Sequence, residues 1–502
     1  MAQFVKLDPA VLKQLRTVDE RLVSYNVEMT EVTGGTFWKA YTEAQVDGTE
    51  EFPIIKDWHD MGNLQQMYDP IDSTNPRLIK LAKELGTAWV RVSGTWANKT
   101  YYDFDGHTGG KVPEGFQNLL TKEQWTNLLD FVNAIDGKLL VSVANCPGIH
   151  SADEPWDTTQ AKILFDYSRD YGVPINAAEF TNEPNMMDMS GLPKGYTAED
   201  HARDHDLFGA WLRENYPECL FVGPCTVGDI DMFGIGMDGA NVGGGIASAL
   251  KMVTTEELLG DYKEKMDVFS YHYYNGVSER GAAMGGHWPA EAALTDKYLA
   301  VPGNCARQYL DRRDRYVPGG QMWVTESGDA GCGGNTWAST YMDVPRTLNE
   351  LGEFATITDG IIFHNTLASS DYGFLKHGTF DPRPNYFAVL LWNRLMGQTV
   401  YATGEEIREG AHVYCHSRKD GKDGYVYLII NNSLTDTTTV ELPKDAERYT
   451  LSGDGKLRSR KMQLNGKVLE LGEGDSLPDL SPASQPAGTV ELAPGTCTFF
   501  VL

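Results

Sequence analysis

Between residues 20 and 395 the chain alternates short runs rich in β-branched and aromatic residues with longer stretches whose apolar positions recur at helical spacing. The runs are "RLVSYNVEM" (21–29), "AWVRVSG" (88–94), "KLLVSVAN" (138–145), "INAAEFTNE" (175–183), "CLFVGP" (219–224), "DVFSYHYY" (267–274), "MWVTESG" (322–328) and "GIIFHN" (360–365). Eight such runs separated by helical stretches predict an α/β fold, a (β/α)8 TIM barrel over residues 20–395. "TNPRLIKLAKELG" (74–86) reads as an outer helix with a capping Thr and a closing Gly, and "TKEQWTNLLDFVNAIDG" (121–137) as a second capped, amphipathic one. After "NYFAVLLWNRLMG" (385–397) the period changes to two, in "HVYCHSR", "GYVYLIINN", "TTTVELP", "RKMQLNGKVLEL" and "CTFFVL". This predicts a C-terminal β-sandwich over 396–502, with "GEGDSLPDLSPASQPAG" (472–488) as a surface loop within it. Residues 1–19 remain as an N-terminal segment placed to pack on the sandwich. No internal repeat or low-complexity tract interrupts this plan.

At 502 residues the chain exceeds one compact core of ordinary size, which agrees with a large domain plus a smaller one. The 41% hydrophobic content and the 11 Trp, 24 Tyr and 19 Phe describe a well-packed protein, and aromatics in such number suit sugar binding. A formal net charge of −27 argues against nucleic acid or any other dense polyanion as partner; the densest basic run, "DRRDR" (311–315), itself carries two Asp. No stretch reaches the length of a membrane span, and the N-terminus lacks the apolar core of a signal peptide. The seven cysteines are odd in number and lack CxxC spacing, as expected of isolated thiols in a reducing compartment. The expectation is a cytoplasmic protein, or a secreted one if a leader has been removed. Nothing in the sequence fixes an oligomeric state.

Barrels of this kind carry their active sites at the C-terminal ends of the strands. There "TNEPN" puts Glu183 at the end of the fourth run, and "VTESG" puts Glu326 at the end of the seventh, roughly across the barrel mouth. An isolated strand-end glutamate is ordinarily an ion-pair partner. Two facing acids raise the pKa of at least one of them, and glycoside hydrolysis needs that pairing of one protonated acid with one ionised carboxylate.

The same two motifs resemble the acid/base and nucleophile motifs of the large retaining glycosidase clan built on such barrels. Four further segments narrow the resemblance to glycoside hydrolase family 79, the heparanase and β-glucuronidase family: "YHYYNG" (271–276), "TESGDAGCGG" (325–334), "DYGFLKHGTFDPRPNYFAVLLWNRLMG" (371–397), and "KMQLNGKVLEL" with "LPDL" (461–480). They span the later barrel and the sandwich; the first quarter is less distinctive. The resemblance implies Glu183 as general acid/base and Glu326 as nucleophile, acting with retention, and Asn182 bonded to the sugar 2-hydroxyl. It also implies Gly333, Gly334 and Tyr372 as the carboxylate-recognition group, Glu28 as a sugar-hydroxyl ligand, and Thr95, His272 and Tyr273 as further substrate-binding residues at comparable strand ends. No metal or cofactor is implied. Trp96, Trp288 and Trp337 are candidates to stack on a sugar or aglycone face.

The leading expectation is an exo-β-glucuronidase acting on small conjugates or oligosaccharides, because endo cleavage of sulfated chains calls for basic patches around the cleft. A heparanase-like endo enzyme, a glycosidase for a neutral sugar and a non-enzymatic sugar-binding relative are the alternatives. The insertion at 97–117 is expected to wall off the cleft beyond the terminal sugar. Two departures from the family pattern stand beside the proposed carboxylate site: Asp329, expected to repel an anionic substrate or shift its pH optimum downward, and Cys332, expected to be an oxidation-sensitive thiol. Other signals carry less. "GIGMDG" (234–239) satisfies GxGxxG but is not a first βα turn. "HARDH" (201–205) has two histidines one turn apart without a third metal ligand, and reads as a solvated helix face. "NKT" (98–100) and "NNS" (431–433) fit the glycosylation sequon.

Overall fold

The computed structural model describes residues 3–228 and 252–502. The "GIGMDG" segment lies outside them. All eight predicted runs form strands: β1 (Val23–Glu28), β2 (Trp89–Ser93), β3 (Lys138–Ser142), β4 (Ala177–Glu179), β5 (Leu220–Val227), β6 (Val268–Tyr274), β7 (Gln321–Gly328) and β8 (Ile362–His364). They pair in chain order and close into a barrel, β8 lying parallel to β1 with Ile362 opposite Val23.

The barrel interior is built in layers, because side chains two residues apart on a strand share a face. The N-terminal layer is apolar: Trp89, Leu140, Ala177, Val222, Val268, Trp323, Ile361 and Phe363 form one buried cluster, with the Trp89 and Trp323 rings 4.9 Å apart. Two residues onward along β2, β3, β4 and β6 stand Arg91, Ser142, Glu179 and Ser270, all fully buried. One step of the pleat thus converts a greasy plug into a charged floor, on which the residues at the barrel mouth rest.

The outer helices follow from their caps. In α1 (Pro76–Leu85) the cap is Asn75, one residue later than the predicted Thr; its Oδ1 accepts from the Arg77 amide at 2.9 Å, and Pro76 opens the first turn. In α2 (Lys122–Ala134) Thr121 and Gln124 form a capping box. Helix α3 (Ala198–Asn215) corrects the reading of "HARDH": His201 and His205 are buried, not solvated. The His205 ring packs 4.6 Å from that of Phe221, and burial pushes the His201 pKa down to about 4, so both act as neutral core rings. The sequon asparagines Asn98 and Asn431 are fully buried, which leaves neither amide open to a glycan. No helix among the described residues is long and apolar enough to cross a membrane. All seven cysteines are free thiols.

Beyond residue 396 a nine-stranded sheet faces a three-stranded one. Their shared core includes Val5, Val413, Tyr427, Ile429, Val440 and Phe500. The N-terminal strands join both: Gln3–Lys6 runs parallel to Thr438–Leu442, and Lys13–Thr17 antiparallel to Met396–Ala402. The loop at 472–488 contributes a short strand, Ala483–Gln485, against Ala446–Arg448. Buried polar bonds tie these sheets to the barrel; the Tyr341 hydroxyl donates to the carbonyls of Leu451 and Gly495 at 2.8 and 2.9 Å.

Candidate active site

Strand β4 ends at Glu179, so Glu183 lies four residues beyond the strand, not on its end. It stands in a tight turn with φ +46, in the left-handed region that a non-glycine residue adopts only when its surroundings hold it there. Several bonds do so. The Glu183 amide donates to the Cys225 carbonyl at 3.1 Å, its carbonyl accepts from the Met186 amide at 3.1 Å, and the Ser190 hydroxyl donates to the same carbonyl. Asn98 clamps the segment from the side, its amide group donating to the carbonyls of Asn182 and Ser190, both at 2.9 Å, while its oxygen accepts from the Asn182 amide.

Arg91 is the hub of the site. Fully buried on β2, it donates to Glu179 at 2.9 Å, to Glu326 at 3.1 Å, to the Asn182 oxygen at 2.8 Å and to Cys225 Sγ at 3.1 Å, and it reaches His272 Nε2 at 3.2 Å. A guanidinium has no acceptor, so His272 Nε2 is the accepting nitrogen and Nδ1 carries the hydrogen. Nδ1–H then donates to Glu183 Oε1 at 2.8 Å, which leaves Oε2 as the oxygen that holds a proton. Burial keeps the imidazole neutral by pushing its pKa down to about 4.

The two catalytic candidates differ in surroundings. Burial pushes the Glu183 carboxyl up to about 7, against the lowering effect of Arg91. Glu326, inside β7, accepts from Arg91 through Oε1 and from the Tyr274 hydroxyl through Oε2 at 2.7 Å. An oxygen of Glu183, an oxygen of Glu326 and a ring nitrogen of His272 all lie within 4.8 Å of one another. Glu28, the last residue of β1, is raised well above the usual carboxylate range by burial and by the charge of Glu326. Its Oε2 sits 1.6 Å from where a Cβ on Gly94 would be, so only glycine fits there, and that oxygen finds no partner within the protein. The carboxyl also caps the following turn, its side chain accepting from the Glu31 amide, and Glu28 stands at the cavity wall with one oxygen unsatisfied by the protein.

These groups open onto a cavity of about 490 Å³ lined by, among others, Glu28, Thr95, Asn182, Glu183, His272, Glu326 and Tyr372. The fold therefore brings together most of the residues singled out in the sequence. Gly333 and Gly334 stand behind the wall, which the loop forms with Gly331 and Cys332. Cys332, Gly333 and Gly334 all have positive φ, +64, +93 and +88. Tyr273 alternates to the other side of β6 from His272 and packs among apolar core residues, its hydroxyl without a partner, yet it too lines part of the cavity. Trp96 lines the cavity, whereas Trp288 and Trp337 are core residues, each at most 2% exposed. Asp329 is turned away: it is buried, accepts from the Asn335 amide at 2.9 Å, and burial pushes its pKa up to about 8, so it is uncharged at neutral pH and does not repel an anion. The half-buried Cys332 thiol lines the cavity, and its pKa is pushed up to about 12, chiefly by desolvation, which lowers its thiolate fraction.

Sequence reasoning missed Arg91, Glu179, Tyr274, Cys225, Asn98 and Asn365. Asn365 donates to the hydroxyls of Tyr274 and Tyr372, at 2.9 and 3.2 Å, and so couples the two phenols. For Arg91 and Glu179 a signal existed, since each is a charge at the inward position of an otherwise apolar run.

The burial of Glu183 carries a stability consequence. Its folded pKa of about 7 lies above the unfolded value of 4.5, so the folded state is favoured below pH 4.5 and loses that advantage as pH rises to 7. Glu183→Gln is expected to raise unfolding free energy by about 3 kcal/mol at pH 8 and by less than about 1 kcal/mol at pH 4.5. Denaturant melts at the two pH values measure the difference.

No family model matches the chain. Among curated proteins it is similar to heparanase-like protein 1 of Arabidopsis thaliana, 25% identical over 509 residues and covering 89% of each chain. It is also similar to hyaluronoglucuronidase of Hirudo nipponia, 25% identical over 476 residues, covering 86% of this chain and 90% of that one. A solved structure, the 4-O-α-L-rhamnosyl-β-D-glucuronidase of Fusarium oxysporum 12S, superposes over the whole of both chains with a TM-score of 0.63 at 12% identity, a likeness of fold. The chain is a glycoside hydrolase and, along most of its length, a relative of the heparanases and β-glucuronidases of glycoside hydrolase family 79.

Proposed function

We propose that the protein is an exo-acting, retaining β-glucuronidase that releases terminal glucuronic acid from small conjugates or short oligosaccharides. The proximity of the two carboxylates carries the retaining assignment: one oxygen of each lies within 4.8 Å of the other, in keeping with the about 5–5.5 Å separation of retaining pairs rather than the about 6.5–9.5 Å of inverting ones. In the first step a Glu326 oxygen attacks the anomeric carbon, the glycosidic C–O bond breaks, and Glu183 Oε2 gives its proton to the leaving oxygen. In the second, Glu183 as carboxylate takes a proton from water, whose oxygen attacks the same carbon and releases Glu326. Asn182, oriented by Arg91 through its oxygen, presents its amide NH2 to the sugar, the group suited to bond the 2-hydroxyl. Burial keeps Tyr274 and Tyr372 as neutral phenols able to donate.

The glucuronide reading is supported by the relatives, among them the hyaluronoglucuronidase. Exo action on small substrates is supported by the cavity walls. Phe37, Trp38, Trp96, Met186 and Met189 make them strongly apolar, Lys99 is the one Lys or Arg lining the cavity among the described residues, and Lys99 and Gln117 of the 97–117 insertion form part of the rim. Among the described residues a sulfated chain finds no basic track there.

The test is a panel of nitrophenyl β-glucuronide, β-glucoside, β-xyloside and β-galactoside, with Glu326→Gln as blank. Selective release from the glucuronide is expected, with kcat/KM falling as pH rises through about 7, where Glu183 loses the proton it must donate. Release from a neutral glycoside instead overturns the substrate. Silence on all four points to an endo-acting enzyme or a binding protein.

A further inference from the structure

We propose that Arg280 is the fixed positive charge that selects a uronate over a neutral sugar, acting from behind the Gly331–Gly334 wall of the cavity. The inference rests on the glucuronidase reading and adds a residue to it.

Arg280 is 4% exposed, and its Nη1 has no hydrogen-bond partner. It makes no ion pair among the described residues. Its guanidinium lies over the Tyr41 ring, 3.7 Å from the centroid, and Nη1 is 3.5 Å from where a Cβ on Gly333 would be. Trp38, which lines the cavity, meets that same Cβ position at 2.6 Å, so Arg280 and a cavity-lining ring approach the loop at the same glycine.

The placement is built in. The Gly331 amide donates to the Gly276 carbonyl at 2.9 Å, the Ser278 amide donates to the Gly331 carbonyl at 3.2 Å, and Glu279 accepts from the Thr336 amide at 2.7 Å. Arg280 therefore moves with the loop that faces the sugar.

A buried guanidinium without a carboxylate partner is costly, and stacking on a phenol compensates only part of the lost hydration. Asp371 is the acid placed to neutralise it; burial raises the Asp371 pKa and so weakens it as a counter-ion, although Arg383, the Tyr41 amide at 2.9 Å and Arg280 itself oppose that rise. Glu279 is occupied by the Thr336 amide. The charge is left for an anion arriving in the cavity, where the Glu326 carboxylate otherwise opposes a second negative group. A uronate carboxylate is the part of the substrate that requires such help, and it distinguishes a glucuronide from a glucoside.

The experiment compares wild type, Arg280→Gln and Arg280→Lys on nitrophenyl β-glucuronide and on its neutral methyl ester. Arg280→Gln is expected to lower kcat/KM on the acid by about 10- to 100-fold, chiefly through KM, while changing the ester by less than about twofold, and Arg280→Lys to recover part of the loss. Thermal melts establish that the variants fold. Equal losses on acid and ester, or no loss on either, assign Arg280 to packing on Tyr41 and overturn the proposal alone. A wild type that does not prefer the glucuronide to the glucoside overturns the substrate reading and this proposal with it.

Discussion

Glu326→Gly lowers kcat on an aryl β-glucuronide by at least about 10⁵-fold, and azide restores release of the aryl alcohol, with the α-glucuronyl azide as product. That is the expected result, and it follows from the geometry. Removing the side chain opens a space on the face of the sugar opposite the leaving group, while Glu183 keeps its proton for the leaving oxygen. Azide entering that space attacks the anomeric carbon once and inverts it. Glu183→Gly is expected to behave in the opposite sense. With a good leaving group Glu326 still forms the glycosyl-enzyme, and azide then attacks from the side Glu183 vacated, giving the β-azide after two inversions. NMR of the two products assigns the roles: opposite anomers mean one nucleophile and one acid/base. The same anomer from both variants contradicts the assignment.

Replacement of Arg91 is expected to have the next largest effect, although Arg91 touches no substrate. Arg91→Met removes the donors to Glu179, Glu326 and Asn182 together and leaves Glu179, itself fully buried, without its counter-charge. Breaking one partner out of a buried pair costs about 3–5 kcal/mol. At present burial pushes Glu179 up, but Arg91 outweighs it and holds the carboxyl below its ordinary range. Without Arg91 that acid takes up a proton, Glu326 loses the bond that aims Oε1, and kcat falls by about 10²- to 10³-fold. The double variant Arg91→Met/Glu179→Gln separates the two effects. Denaturant unfolding is expected to show much of the stability restored, since a neutral amide replaces the buried acid and the cost of protonating it is gone, while kcat stays low because Glu326 and Asn182 are still unsupported. Recovery of both together contradicts a role for Arg91 in aiming the site.

The barrel was legible in the sequence because its signal is periodic and local. Each of the eight runs changes character at a turn, and each became a strand within a few residues of its predicted limits. The two acids were legible because both follow long apolar runs, where a carboxylate needs a reason to be. Less legible was how Glu183 is held. Its turn depends on Ser190, seven residues on, and on the Cys225 carbonyl and Asn98, which come from two other parts of the chain and leave no pattern around residue 183. Asn98 shows the difficulty most plainly. Its surroundings in the sequence read as a sequon on an inserted loop, yet the folded chain buries it against the acid's backbone. Tyr273 and the two loop glycines were placed by likeness to a family motif; the loop enters the cavity wall at Gly331 and Cys332, and Tyr273, outward-facing on its strand, still lines part of the cavity. Asp329 illustrates a third limit: its charge depends on burial among groups distant in sequence, and burial keeps it neutral where the residue type suggests repulsion.

The most direct test of the account is the anomer first formed when the wild-type enzyme cleaves an aryl β-glucuronide, followed by proton NMR before mutarotation. The account requires β-glucuronic acid first, from two successive displacements at Glu326 assisted by Glu183. Appearance of the α-anomer first would show a single displacement by water and would contradict it.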